Sequence, residues 1–129
     1  MSEPIVFISH FKVKEGKLDG LKQHSQKMIE LIQAEKPGTV VFLQYFNEEA
    51  TELSIIHVFP DVDAYNRHGE GVAERARAAF EFLERKAIEI YGMPGDQNVA
   101  MLIPPDGSGV AFKYMPQSNG GYIRFKPGE

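Results

Sequence analysis

Apolar positions alternate from Ile5 to Val13. Ile5, Phe7, Ser9, Phe11 and Val13 fall on one side and Val6, Ile8, His10 and Lys12 on the other, which predicts a strand. After Glu15-Gly16 the period lengthens. Leu18, Leu21, Met28, Leu31 and Ile32 recur at helical spacing, with Lys22, Gln23, Gln26, Lys27 and Glu30 on the other arc, and Pro37-Gly38 stops this amphipathic helix. Thr39 to Phe46 and Leu53 to Phe59 are β-branched and aromatic, too short for typical helices, and separated by a polar run, so they predict a hairpin. Asp61 then suits the cap of a helical turn through Ala64, Tyr65 and His68, interrupted at Gly69-Glu70-Gly71. Val72, Ala76, Ala79, Phe80, Leu83, Ala87 and Ile90 predict a second, long helix closed by Gly92 and Pro94, with Arg77, Glu81 and Arg85 spaced for exposed pairs. Val99 to Ile103 predicts a fourth strand, ended by Pro104-Pro105-Asp106-Gly107. Beyond it, Val110 to Met115 and Tyr122 to Phe125 either form a further hairpin or pack loosely near a subunit boundary.

Strand, helix, strand, strand, helix, strand is the βαββαβ order of a ferredoxin-like α+β domain, an antiparallel sheet with both helices on one face. Its second strand is apolar on both sides, with Val40, Phe42 and Phe46 against Val41, Leu43 and Tyr45. One face can take the chain's own helices. The other needs further chain or a second subunit, so a homodimer is expected before any family is considered. Residues 1–104 form the expected domain, and residues 105–129 a C-terminal extension that could place a β-hairpin at the dimer interface.

The chain has 129 residues, enough for one domain with a core that needs no staples. It has no Cys, which excludes disulfides, iron-sulfur clusters and thiolate zinc sites and makes the cytoplasm the expected location. Its amino terminus lacks the basic region and apolar length of a signal peptide or membrane span. A net charge of −4 opposes sequence-independent binding to nucleic acid and leaves small organic molecules as the expected partners.

Several segments together resemble the antibiotic biosynthesis monooxygenase domain of the dimeric α+β barrel superfamily. They are Val13-Lys14-Glu15-Gly16, Lys36-Pro37-Gly38-Thr39, Thr51-Glu52-Leu53-Ser54, and Phe59-Pro60-Asp61 followed by Ala64-Tyr65-Asn66-Arg67-His68. The resemblance covers about Ile5 to Ile103. It implies a cofactor-independent monooxygenase that oxidises a small phenolic or quinol-type compound with dioxygen, using neither metal nor flavin. A related group degrades haem. The chain departs from the polyketide-oxidising and haem-degrading members in having no Trp. It also lacks the second His that often follows His68, and its tail after Pro104 has no counterpart in the usual short member.

Such chemistry needs an apolar cavity, a base to make the phenolate, and donors to steady the anion. His68 is the candidate catalytic base, placed at the interruption just before the long helix, where the positive end of the helix dipole would keep its imidazole neutral. As a residue of structure it would instead pack or cap. His57 and His10 are candidate ligand-binding residues, each on a strand face that could line a pocket and within diagonal reach of one another if the register permits. Tyr45, Tyr65, Asn66 and Tyr91 could donate to a ligand, or serve as packing. No third ligand at useful spacing completes a metal site from His10 and His57, and His24 is expected on the surface. Two further classes compete with the enzyme. One is a non-catalytic, small-molecule-binding or stress-responsive dimeric barrel. The other is an RNA-recognition domain, which Leu53 to Phe59 opposes by lacking the required basic and aromatic run.

Overall fold

The computed structural model describes residues 3–124. In chain order it forms β1 (Ile5–Val13), α1 (Leu18–Glu35), β2 (Val41–Phe46), β3 (Glu52–Phe59), α2 (Val62–Gly69), α3 (Val72–Ala79), β4 (Leu83–Tyr91), α4 (Asp96–Leu102) and β5 (Ala111–Met115). The sheet runs β2-β3-β1-β4-β5, antiparallel except for the parallel pair of β4 with β5. Its first four strands stand in the order that the ferredoxin-like α+β plan requires. The fifth is added at the edge. No helix among the described residues is long and apolar enough to cross a membrane.

Register sorts the side chains into two faces. On the helix side, one buried cluster joins Phe11, Val13, Leu53 and Leu83 to Leu21 of α1. A second joins Ile5, Phe59 and Ile90 to Ala64 of α2, with Leu102 of α4 packed against it. Fully burying a side chain such as Leu21 or Phe59 is worth about 1.5–3 kcal/mol, so these two groups anchor both ends of the layer. The opposite face carries no helix. There Leu43, Ile56 and Ile8 stand side by side across β2, β3 and β1, as do Val41, Val58 and Val6. On this bare face His10 Nδ1 hydrogen-bonds Ser54 Oγ at 2.8 Å, and its Nε2 pairs with Glu89 Oε2 at 2.5 Å. The Tyr91 hydroxyl donates to the other carboxylate oxygen of Glu89. Those hydrogen bonds, first from Tyr91 and then from His10, hold the Glu89 carboxyl below its ordinary pKa.

Two expected elements are corrected. The long helix expected from Val72 to Ile90 ends at Ala79, and the fourth strand is Leu83–Tyr91 rather than Val99 to Ile103. Leu83 and Ile90 fit a helical stripe, yet they also share one face of a strand once one extra residue intervenes. Lys86 is that residue: the β1–β4 register shifts between His10 and Phe11, pairing Phe11 with Arg85 but His10 with Ala87. This bulge turns Ile88 and Ile90 toward the helices instead of away from them. The turn between α3 and β4 is pinned from β1's end, where Lys14 N donates to Phe82 O at 2.8 Å and Lys14 Nζ to Phe80 O at 2.6 Å. The apolar run expected as the last strand is helix α4. A short apolar run does not distinguish the two, and here Val99 N donates to Gly95 O at 3.0 Å, closing the first helical turn.

In the tail, Val110 to Met115 is a strand from Ala111, and it places Phe112 and Tyr114 against the second core cluster. Tyr122 to Arg124 form no strand, and Phe125 lies outside the described residues. Of the expected hairpin, only its first strand is formed among the described residues.

Gly38 sets the approach of α2 to the sheet. A Cβ there would lie 2.8 Å from Ala64 Cβ and 3.3 Å from Ala64 Cα. The obstacle includes backbone, so Gly38→Ala is expected to displace α2 and destabilise the protein by about 1–3 kcal/mol, read as a lower thermal midpoint. An unchanged midpoint would mean that α2 yields freely.

Candidate functional site

Between the helices and the sheet lies a cavity of about 160 Å³, walled by apolar side chains such as Phe7, Phe42 and Ile55 and reached by His57 and His68. β3 delivers His57 because the register places it opposite Phe7, on the helix side. α2 delivers His68. Asp61 caps this helix by accepting from Ala64 N at 2.9 Å, and the buried positions Ala64 and His68 stand one turn apart on its inner face. The two imidazoles meet edge to face, with ring centroids 5.0 Å apart.

Each ring is held through one nitrogen. His57 Nδ1 donates to the Phe7 carbonyl at 3.0 Å, which fixes the tautomer and leaves Nε2 as an acceptor. His68 Nδ1 is hydrogen-bonded to Thr39 Oγ1 at 2.7 Å, and its Nε2 has no side-chain or backbone partner among the described residues. Both rings are neutral at ordinary pH. Burial, above all, lowers His57 to about 4 against the weaker opposing pull of the Phe7 carbonyl. Burial, then His57, Arg75 and Lys36, lowers His68 to about 3. The expectation of a helix N-terminus acting on His68 is therefore corrected: the residue lies in the last turn of α2, and desolvation keeps it uncharged.

That neutrality has a consequence for stability. In the unfolded chain both rings take up protons near 6.5, while the folded chain resists until about pH 4 and pH 3. The unfolded state thus binds more protons across this window, and stability present above pH 6.5 is lost as pH falls toward 4. The unfolding free energy is expected to fall steadily between pH 6.5 and 4, by on the order of 1 kcal/mol per pH unit for each ring, read as a falling thermal midpoint. His57→Phe should flatten that slope, and a slope identical to the unsubstituted chain's would contradict it.

Arg75 of α3 completes this end of the cavity. Its guanidinium donates to His68 O at 2.5 Å and Glu70 O at 2.8 Å, so it clamps the link between α2 and α3. A larger cleft of about 550 Å³ lies on the outer side of His68, lined by charged groups such as Lys36, Asp61 and Arg67. His68 therefore stands between a polar cleft and an apolar chamber.

The other expected residues fall elsewhere. His10 is on the bare face with Ser54 and Glu89, one residue out of phase with the cavity side of β1, so the expected proximity to His57 does not occur. Tyr45 is on that same bare face, 58% exposed. Tyr65 packs edge to face on Phe59 with centroids 5.4 Å apart. Asn66 is exposed, and its Oδ1 accepts from Asn98 at 2.9 Å. Tyr91 donates to Glu89, away from the cavity. Sequence reasoning missed three cavity residues. Nothing in the spacing distinguishes Arg75 from other charged positions, Arg85 is exposed as expected but on a strand instead of a helix, and His24, expected on the surface, is half-buried with Nε2 inside. The parity of Leu83 and Arg85 along a strand would have revealed the second.

No protein-family model matches the sequence, and a search of curated proteins finds no match. Solved structures do match. The chain is similar to MupZ from Pseudomonas fluorescens, with a TM-score of 0.73 and 18% identity over 95% of this chain and 91% of that one. It is also similar to SnoaB, a cofactor-independent oxygenase from Streptomyces nogalater, with a TM-score of 0.59 and 18% identity over 71% and 94%. A protein from Caulobacter crescentus assigned as an antibiotic biosynthesis monooxygenase matches with a TM-score of 0.59 and 17% identity over 69% and 86%. The chain thus has the α+β ferredoxin-like fold that the antibiotic biosynthesis monooxygenase proteins share.

Proposed function

We propose that the protein is a cofactor-independent monooxygenase that oxidises a small phenol or quinol in the cavity between helices and sheet, with His68 as the base. The observation that carries this reading is a pair of buried, neutral imidazoles facing an apolar chamber beside a guanidinium. In the tautomer whose Nδ1–H donates to Thr39 Oγ1, His68 Nε2 is left to take the phenol's proton. Burial first, and then neighbours that include Arg75 and Lys36, keep the resting imidazole neutral. A phenolate formed there supplies the missing negative charge: at about 4 Å from Arg75 it would gain about 4 kcal/mol at an effective dielectric of 20, or roughly three pKa units. Proton transfer and anion binding therefore assist each other. The phenolate then gives electrons to dioxygen. One oxygen atom bonds to a ring carbon and the other leaves as water, so phenol plus dioxygen yields quinone plus water.

SnoaB, with the same fold, is a cofactor-independent oxygenase, which supports this reading without carrying it. Incubation of the purified protein with a dihydroxyarene under labelled dioxygen is expected to consume oxygen and place one labelled atom in the product. Absence of uptake with ligand still bound would favour the alternative, a binding module without chemistry.

The same reading includes a homodimer. The bare face presents Leu43 at 45% and Met115 at 53% exposure beside the aliphatic rows of β1 and β3. A second copy packed face to face would shelter it, and β5, from the extension at 105–129, would widen the contact.

A further inference from the structure

The chamber has a second polar end. β1 measures the distance: Phe7 is level with His57 and Phe11 with Arg85, four residues or roughly 13 Å along the strand. Side chains reaching inward from both ends shorten that gap toward the span of one substituted ring. Its volume agrees. A chamber of about 160 Å³ is close to the roughly 150 Å³ that accommodates benzene in an engineered apolar cavity, too small for a fused polycyclic compound.

At this far end Arg85 stands exposed at the rim of the chamber and His24 turns its ring inward. The Arg85 guanidinium lies 5.4 Å from the Phe80 ring centroid and makes no hydrogen bond or ion pair among the described residues. His24 Nε2 is the buried side-chain polar atom left without a hydrogen bond among those residues. Its ring is tilted on Phe82, with centroids 5.3 Å apart. No Asp or Glu lines the chamber. The nearest acid acting on His24 is Glu81, which is exposed and 4.0 Å from Lys17. Arg75, at the His68 end, donates to two carbonyls and so acts on the chamber through its charge alone.

We infer that the ligand is a single-ring phenol carrying an acidic group across the ring from its hydroxyl, with Arg85 and His24 receiving the acid while the hydroxyl meets His68. This rests on the proposed function for the role of the hydroxyl, but the anion end stands on its own geometry. A bound carboxylate would pair with the Arg85 guanidinium, which no acid among the described residues does. The net charge of −4 disfavours anions in general, so a preference for one would have to be local. With the acid across the ring, oxygen would enter beside the hydroxyl.

The test is calorimetric titration of the whole chain without oxygen, comparing 3,4-dihydroxybenzoate with the neutral 3,4-dihydroxybenzamide. A charge-assisted contact predicts roughly 10- to 100-fold tighter binding of the acid. Arg85→Gln should bring the affinity of the acid down to that of the amide, while Arg85→Lys should keep most of the preference. Equal affinities in the unsubstituted protein, binding of neither compound, or a preference that survives Arg85→Gln overturns the inference. Oxygen uptake with neutral quinols alone would leave the proposed function standing and this inference refuted. An acid preference without any oxygen uptake would do the reverse.

Discussion

His68→Ala is expected to lower the oxygen-uptake rate on a dihydroxyarene by about 10²- to 10⁴-fold, the range that a positioned general base contributes. The loss should fall on kcat. The chamber keeps its apolar walls and its far polar end, so binding measured without oxygen should change little. Removing a ring that bonds Thr39 and packs 5.1 Å from Phe59 also costs stability, so the comparison is made below the thermal midpoint of each variant. Thr39→Val supplies a second arm. It leaves the imidazole in place but frees its Nδ1, and a positioning role predicts a smaller fall in kcat with unchanged KM. Full turnover in His68→Ala would reject the base and pass that role to His57, whose Nε2 is also an acceptor.

What could be read from the sequence follows from how many structures each stretch was compatible with. β1, α1, β2 and β3 each fit one period, and the structure forms them where expected. From Val72 onward the pattern served two masters. A stripe at Val72, Ala76, Ala79 and Leu83 is helical up to the turn at Phe80, and only the bulge at Lys86 reconciles Leu83, Ile88 and Ile90 with a strand facing the helices. A bulge leaves little trace in composition, so the period alone favoured one long helix. The site was half legible for a related reason. Both faces of β1 are apolar, which hides whether His10 or Ser9 faces the helices. Pairing with β3 settles it: His57 lies opposite Phe7 and His10 opposite Ser54. Arg85 and His24 escape notice because charged and polar residues on expected helices are read as solvated: Arg85 is indeed exposed, yet its strand sets it at the rim of the chamber, and His24 turns one nitrogen inward.

The proposed dimer predicts the second large effect. Ile56→Glu is expected to convert a dimeric protein into a monomer on a sizing column, and Leu43→Glu to do the same. Two-fold symmetry inserts each new charge twice, and an uncompensated buried charge costs about 3–5 kcal/mol, so the pair costs about 6–10 kcal/mol and weakens association by more than 10⁴-fold. The single chain should tolerate the change. Leu43 is 45% exposed in it, so a carboxylate at that position would be hydrated, and an unchanged circular dichroism spectrum separates dissociation from misfolding. Glu89 shows how an acid survives on this face: Tyr91 and His10 both bond its carboxylate, and neither new Glu would inherit such partners. An unsubstituted chain that is monomeric at micromolar concentration, or variants that elute as it does, would mean that this sheet face meets water and not a second copy.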